Sequence, residues 1–173
     1  MMAATKDMQK RHKVELVAAG YAQTRGRSYK SPRTGKAFYG CTLRCSKAVK
    51  VIHGTLRTKS ETRAELAGIV EGLKRLKNNT DAVTVYTANR RLREDLYEMN
   101  NRKVCDSTDN WVPERNSDLW REFQDLANRF KIKPAPTNAG RDVDYQSALE
   151  AAKRNNPVGE VRIESPSPNR YER

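Results

Sequence analysis

The stretch from Arg57 to Asn89, RTKSETRAELAGIVEGLKRLKNNTDAVTVYTAN, constrains this chain more than any other. Leu66, Ile69, Val70, Leu73 and Leu76 recur at helical spacing and make one apolar stripe, which predicts an amphipathic helix with one face buried. Thr62 stands where an N-cap belongs, and Glu65 three residues on completes a capping box. After a short polar turn, Ala82-Val83-Thr84-Val85-Tyr86-Thr87 is a β-branched run of the kind that forms a central strand of an α/β sheet.

The flanking segments supply the partners. Val14 to Ala19 reads as a first strand that Gly20 ends. The loop from Gln23 to Lys36 carries Arg25, Arg27, Lys30, Arg33 and Lys36, no acid, and Tyr29 as a stacking candidate. Residues 37–44 and 48–58 alternate apolar and polar, two antiparallel strands with Ser46-Lys47 at the turn. Val49 and Val51 share a face, and His53 reads as a sheet-surface or core histidine, not a ligand. Residues 89–99 form a second helix with Leu92 and Tyr97 inward and Arg90, Arg91 and Arg93 outward, and residues 100–115 are irregular. Asn116 or Ser117 caps a third helix bearing Leu119, Phe123, Leu126, Ala127 and Phe130, with Trp120 against the sheet. Lys131-Ile132-Lys133 is a last strand that Pro134 and Pro136 end, and residues 142–154 form the last helix. Residues 1–13 read as a flexible basic arm, residues 14–154 as one domain and residues 155–173 as a disordered, proline-bearing tail.

Composition narrows the class. The 173 residues are 36% apolar and 32% charged, as in a highly charged globule. No apolar run approaches the about 18 residues that a membrane span needs, and the N-terminus lacks the apolar block of a signal peptide. Cys41, Cys45 and Cys105 form no CxxC pair, and with only His12 and His53 besides they offer no zinc site, so no metal or other cofactor is expected and a reducing cytoplasm is. The net charge is +13, and residues 1–59 alone carry a net of +12, with fourteen Lys or Arg against Asp7 and Glu15. A nearly neutral body with a cationic first third is the footprint of a phosphate-backbone binder. The competing explanation is a solvated basic face, and no amphipathic helix lies there to favour a membrane surface.

Four motifs carry a resemblance. Ser60-Glu61-Thr62-Arg63-Ala64-Glu65-Leu66, then Val85-Tyr86-Thr87-Ala88-Asn89, then Asn116-Ser117-Asp118-Leu119-Trp120, then Asn138-Ala139-Gly140 resemble, in order and spacing, the signature segments of prokaryotic-type (type 1) ribonuclease H. The likeness spans roughly residues 14–153. It implies an α/β fold with a mixed five-stranded sheet, three antiparallel strands and then parallel ones, flanked by helices, in the order β-β-β-α-β-α-α-β-α. It also implies a two-metal site, because only converging carboxylates hold two divalent ions about 4 Å apart.

This chain departs from the family at that point. The four carboxylate positions fall at Ala19, Glu65, Ala88 and Ala148, so only Glu65 keeps an acid, and Asn138 stands where the family has a histidine. Glu61 and Thr62 also replace the asparagines that the family often uses on its substrate, which favours natural degeneration over deliberate disarming. The reading is a non-catalytic nucleic-acid-binding protein, RNA preferred with an RNA–DNA hybrid or DNA as other ligands, in the cytoplasm of a bacterium or of a virus-infected cell. Its contacts would come from Arg25, Arg27, Tyr29, Lys30, Arg33, Lys36, Arg44, Lys47, Lys50, Arg57, Lys59, Arg90 and Asn138. The rival readings are a working ribonuclease H, one inactivated by design, and a module that binds a protein partner.

Overall fold

The computed structural model describes residues 12–24, 33–46, 48–77, 80–105 and 110–154. The predicted basic arm up to Arg11, the loop residues Arg25, Arg27, Tyr29 and Lys30, the turn residue Lys47 and the tail from Asn155 lie outside the described residues. Nine elements follow in chain order: β1 (His12–Thr24), β2 (Arg33–Arg44), β3 (Val49–Leu56), α1 (Glu61–Lys74), β4 (Thr80–Thr87), α2 (Arg90–Cys105), α3 (Ser117–Ala127), β5 (Lys131–Pro134) and α4 (Asp142–Arg154). The five strands form one sheet in the order β3-β2-β1-β4-β5. The β1–β2 and β2–β3 pairs are antiparallel, and β4 and β5 add in parallel to β1. None of the described helices is long and apolar enough to cross a membrane.

The two faces of the sheet are covered unequally. Leu16 and Ala18 of β1, Cys41 and Leu43 of β2, Ile52 of β3 and Val83 and Val85 of β4 point toward α1, α2 and α3. There they meet Leu66, Ile69, Val70 and Leu73, each 1% exposed or less. Burying four such side chains contributes about 1.5–3 kcal/mol apiece, which makes this stripe the largest single source of cohesion in the fold. Trp120 lies fully buried in the same core, edge-on to Phe123 with ring centroids 5.3 Å apart. The opposite face, carrying Val17, Ala19, Phe38, Thr42 and Val51, is covered among the described elements by α4. Thr42 donates to the Asp144 carbonyl at 2.8 Å, and Arg44 grips the buried Asp144 carboxylate with Nε and a terminal nitrogen at 2.9 and 2.8 Å.

Several boundaries differ from the sequence reading, each for a local reason. Gly20 does not end β1. It sits mid-strand opposite Tyr39, where the Glu61 carbonyl oxygen would stand 2.5 Å from a Cβ, so the glycine marks the close approach of α1. Helix α1 is capped by Ser60, whose hydroxyl accepts from the Arg63 amide at 3.1 Å, so the capping box built on Thr62 and Glu65 does not form. Helix α2 runs on to Cys105 through residues expected to be irregular, and it buries Leu92 and Leu96, four apart, with Tyr97 only half-buried. Asn116 precedes α3 at φ 60 with no side-chain cap; its side-chain oxygen accepts from Arg63 instead.

The least room at any described glycine is at Gly40, where backbone meets backbone. A Cβ placed on Gly40 would lie 1.7 Å from the Ala148 carbonyl oxygen, so α4 rests directly on the main chain of β2. Gly40→Ala is therefore expected to lower the unfolding free energy by at least about 2 kcal/mol. Gly35→Ala, where φ is +79 but nothing stands within 4 Å, should cost only about 1 kcal/mol. Urea titrations of the two variants giving equal losses would contradict this account of how α4 is seated.

Candidate functional site

Strands β1 and β4 both end at the edge of the sheet where α1 begins, and this end gathers most of the singled-out residues. Glu65 projects from the second turn of α1 into a buried niche and is 5% exposed. The Thr87 hydroxyl donates to its Oε2 at 2.6 Å. One turn earlier, the Asn89 side-chain amide donates to the Thr62 hydroxyl at 2.9 Å, and the Ala22 amide of β1 donates to Glu61 Oε1 at 3.1 Å. Three hydrogen bonds thus stitch the start of α1 to the ends of β1 and β4. Thr62 and Glu65, expected to cap a helix, instead bind it to the sheet.

Burial raises the pKa of Glu65 to about 7; the Thr87 hydrogen bond pulls down, the Glu61 charge pushes up and Arg93 pulls down again. Arg93 does not point outward as its position on α2 suggested. It folds back so that a terminal nitrogen donates to the Thr87 carbonyl at 3.1 Å, while its Nε is buried without a partner. Tyr145 of α4 faces the same niche: burial, then Glu65 and Glu61, raise its pKa.

The three positions that the resemblance would assign to further carboxylates hold alanines. Ala19 and Ala148 are fully buried where α4 lies on the sheet, and Ala88 is exposed just past β4. The residues present do not suit a pair of divalent ions. Glu65 is engaged by Thr87, Glu61 by a main-chain amide, the guanidinium of Arg93 stands nearby, and three methyls offer no donor atom. Among the described residues, no three His, Cys, Asp or Glu side chains come together in a group that could hold a metal ion. Asn138 lies in the turn before α4 with its Oδ1 buried and unpartnered. Nearby, Arg141 reaches back to pair with Glu15 and lies 5.4 Å from the centroid of the Tyr86 ring.

The predicted cations separate into two groups. Lys36 precedes the Ala37–Leu56 pair of the β2–β3 ladder and Arg57 follows it, so the two flank one end of the hairpin; Lys59 comes just before the cap of α1. All three are exposed at the carboxylate end, as is Arg90, which pairs with Glu94 at 2.9 Å. Arg33 lies on β2 beyond Lys36. Arg44 and Lys50 lie at the far end of the same hairpin, about 23 Å away at roughly 3.3 Å per residue. Arg44 is moreover held by Asp144, a partner that no local pattern foretold. The Asn116-x-Asp118 motif is structural: Arg63 makes a two-pronged bond to Asp118 at 2.9 and 2.6 Å, tying α1 to α3 and depressing the Asp118 pKa to about 2.

No family model matches the sequence, and no curated protein is similar enough to count as a relative. Solved structures do match in fold. A type 1 ribonuclease H carrying the type 2 active-site motif, LC9-RNase H1, superposes with a TM-score of 0.60 at 12% identity, over 89% of this chain and 78% of that one. The native prototype foamy virus protease–reverse transcriptase gives 0.58 at 16% identity over 86% of this chain, which spans 22% of that much longer one. The N-terminal ribonuclease H domain of rv2228c from Mycobacterium tuberculosis, solved fused to maltose binding protein, gives 0.52 at 18% identity over 81% and 94%. The chain thus has the ribonuclease H-like fold. The mixed five-stranded sheet and its element order are those that the four motifs implied.

The raised Glu65 pKa has a testable sign. An acid that is harder to ionise in the folded state makes the protein most stable below the unfolded value near 4.5; that stability is lost as pH rises toward about 7. Glu65→Gln keeps an acceptor for Thr87 and removes the titration. Its unfolding free energy relative to the parent should improve by up to about 3 kcal/mol between pH 4.5 and pH 8. Parallel denaturation curves for the two proteins across that range would refute the assignment.

Proposed function

We propose that this protein binds nucleic acid without cutting it, with RNA the preferred ligand, on a ribonuclease H-like scaffold whose metal-binding positions have turned structural. The observation that carries this reading is the state of Glu65. The one acid left among the four positions is buried, hydrogen-bonded to Thr87 and held near neutrality, working as a strut between α1 and β4. What persists at that end is positive charge. From Leu16 to Ser60 the chain contains no acidic residue, and Lys36, Arg57 and Lys59 stand exposed beside the start of α1. A solved foamy viral protease–reverse transcriptase whose fold matches is in complex with double-stranded DNA, which supports a nucleic-acid ligand for this scaffold. Such contacts reach phosphates, so they favour affinity over sequence readout and weaken steeply with salt.

The test is a titration into labelled single-stranded RNA, RNA–DNA hybrid, double-stranded RNA and DNA with magnesium over a salt series, with the products run on a denaturing gel. Intact RNA with salt-steep binding is expected, the Lys36→Ala/Arg57→Ala variant lowering the salt slope by roughly 1.4 on single strands. Cleaved hybrid would overturn the reading in favour of a working nuclease. Absence of binding to all four would turn it toward a protein partner.

A further inference from the structure

The far end of the β-hairpins, remote from Glu65, holds a cavity of about 250 Å³. It is open to solvent and bounded by the start of β1, the end of β2, the start of β3, the end of α1 and the start of β4. Val14, Leu43 and Leu76 make an apolar floor, and His12, Lys50, Arg75 and Lys77 stand around it. Among the described residues, no carboxylate lines the cavity. Lys50, Arg75 and Lys77 have no ion-pair partner among the described residues.

Two features set this cluster apart from ordinary surface charge. Cations near the end of a helix complement its carbonyls, which accounts for Arg75 and Lys77 at the end of α1. It does not account for Lys50 or His12, which arrive from β3 and β1 and converge on the same opening. Like charges brought together over an apolar floor repel one another, and an anion with an apolar body relieves both the repulsion and the exposed floor. The second feature is continuity. β3 is the edge of the sheet, with a row of unpaired main-chain groups, and it runs from Lys50 near its start to Arg57 just past its end. No acid interrupts that path.

Resting on the nucleic-acid reading above, we propose that this cavity is a second contact point for the same strand. It receives one nucleotide, its base over Val14, Leu43 and Leu76 and its phosphate among Lys50, Arg75, Lys77 and His12. The strand follows the β3 edge between the two cationic ends. With its bases stacked at about 3.4 Å each, a single strand covers the about 23 Å from Lys50 to Arg57 with roughly seven nucleotides. The protein therefore measures length: a strand too short to reach both ends makes only one set of contacts, and a longer one gains the second without a second diffusional encounter.

The experiment compares single-stranded RNA of 4, 6, 8 and 12 nucleotides by fluorescence anisotropy, using the parent protein and a Lys50→Glu/Arg75→Glu/Lys77→Glu variant. The parent should tighten sharply between 4 and 8 nucleotides. The variant, whose fold is checked by circular dichroism and cooperative thermal unfolding, should lose at least tenfold on the 12-mer and lower the 12-mer salt slope by roughly 2. Methyl resonances of Val14, Leu43 and Leu76 should shift with the 12-mer and stay in place with the 4-mer. Equal 12-mer affinity and slope in the two proteins would overturn this site and leave the nucleic-acid reading standing. A parent that binds no oligonucleotide would overturn both.

Discussion

The hydrogen bond from the Thr87 hydroxyl to the buried Glu65 carboxyl joins the helix that supplies more of the core than any other described helix to the strand at the centre of the parallel half of the sheet. Neither partner could be removed lightly, because a buried polar group stripped of its partner costs about 1–3 kcal/mol. Around it the Thr62–Asn89 and Glu61–Ala22 bonds fix the pitch at which α1 meets the strand ends. The first of these contacts also engages Glu65, and the third engages Glu61, so the acids at this end serve the joint between helix and sheet.

Charge and fold are arranged along separate directions. Some ion pairs join elements, Arg63 with Asp118 and Lys74 with Glu122 between α1 and α3 and Arg44 with Asp144 between β2 and α4, while Lys74–Glu71, Arg90–Glu94, Arg102–Glu98 and Arg154–Glu150 lie within single helices. The antiparallel strands carry cations with no acid from Leu16 to Ser60. Helices thus balance their charge internally while the hairpin side keeps a surplus. A long-range attraction for polyanions follows from that surplus whatever the detailed contacts, and it fades within a Debye length as salt rises.

How much of the structure is legible in the sequence depends on whether the responsible pattern is local. The apolar stripe of α1, the β-branched run of β4 and α4 from Asp142 to Arg154 all stand as expected, because period and length are written in consecutive residues. The capping box misleads because Ser60 and Thr62 are both hydroxyl residues at a helix start, and only the position of Asn89 across the fold decides which one caps. Gly20 looks like punctuation but answers to α1, and Leu96 rather than Tyr97 is the buried neighbour of Leu92, as the spacing of four between the two leucines allows. At the candidate site, the alanines at positions 19, 88 and 148 are plain in the sequence. The burial of Glu65, the inward turn of Arg93 and the capture of Arg44 by Asp144, 100 positions further along the chain, are not. Nor does composition reveal that the cations divide between two ends of one hairpin.

The seating of α4 on Gly40 bears on what the seam between helix and sheet can hold. Ala19 and Ala148 have no exposed surface, so an aspartate introduced at either would carry its charge into a layer where helix and strand main chains already touch. An unpartnered buried charge costs several kcal/mol, and two of them rival the about 5–15 kcal/mol that hold an ordinary domain together. Either acid alone would draw heavily on the stability of the fold. The close contact therefore keeps this seam shut to charge: an acid can enter the layer only together with a partner that neutralises it.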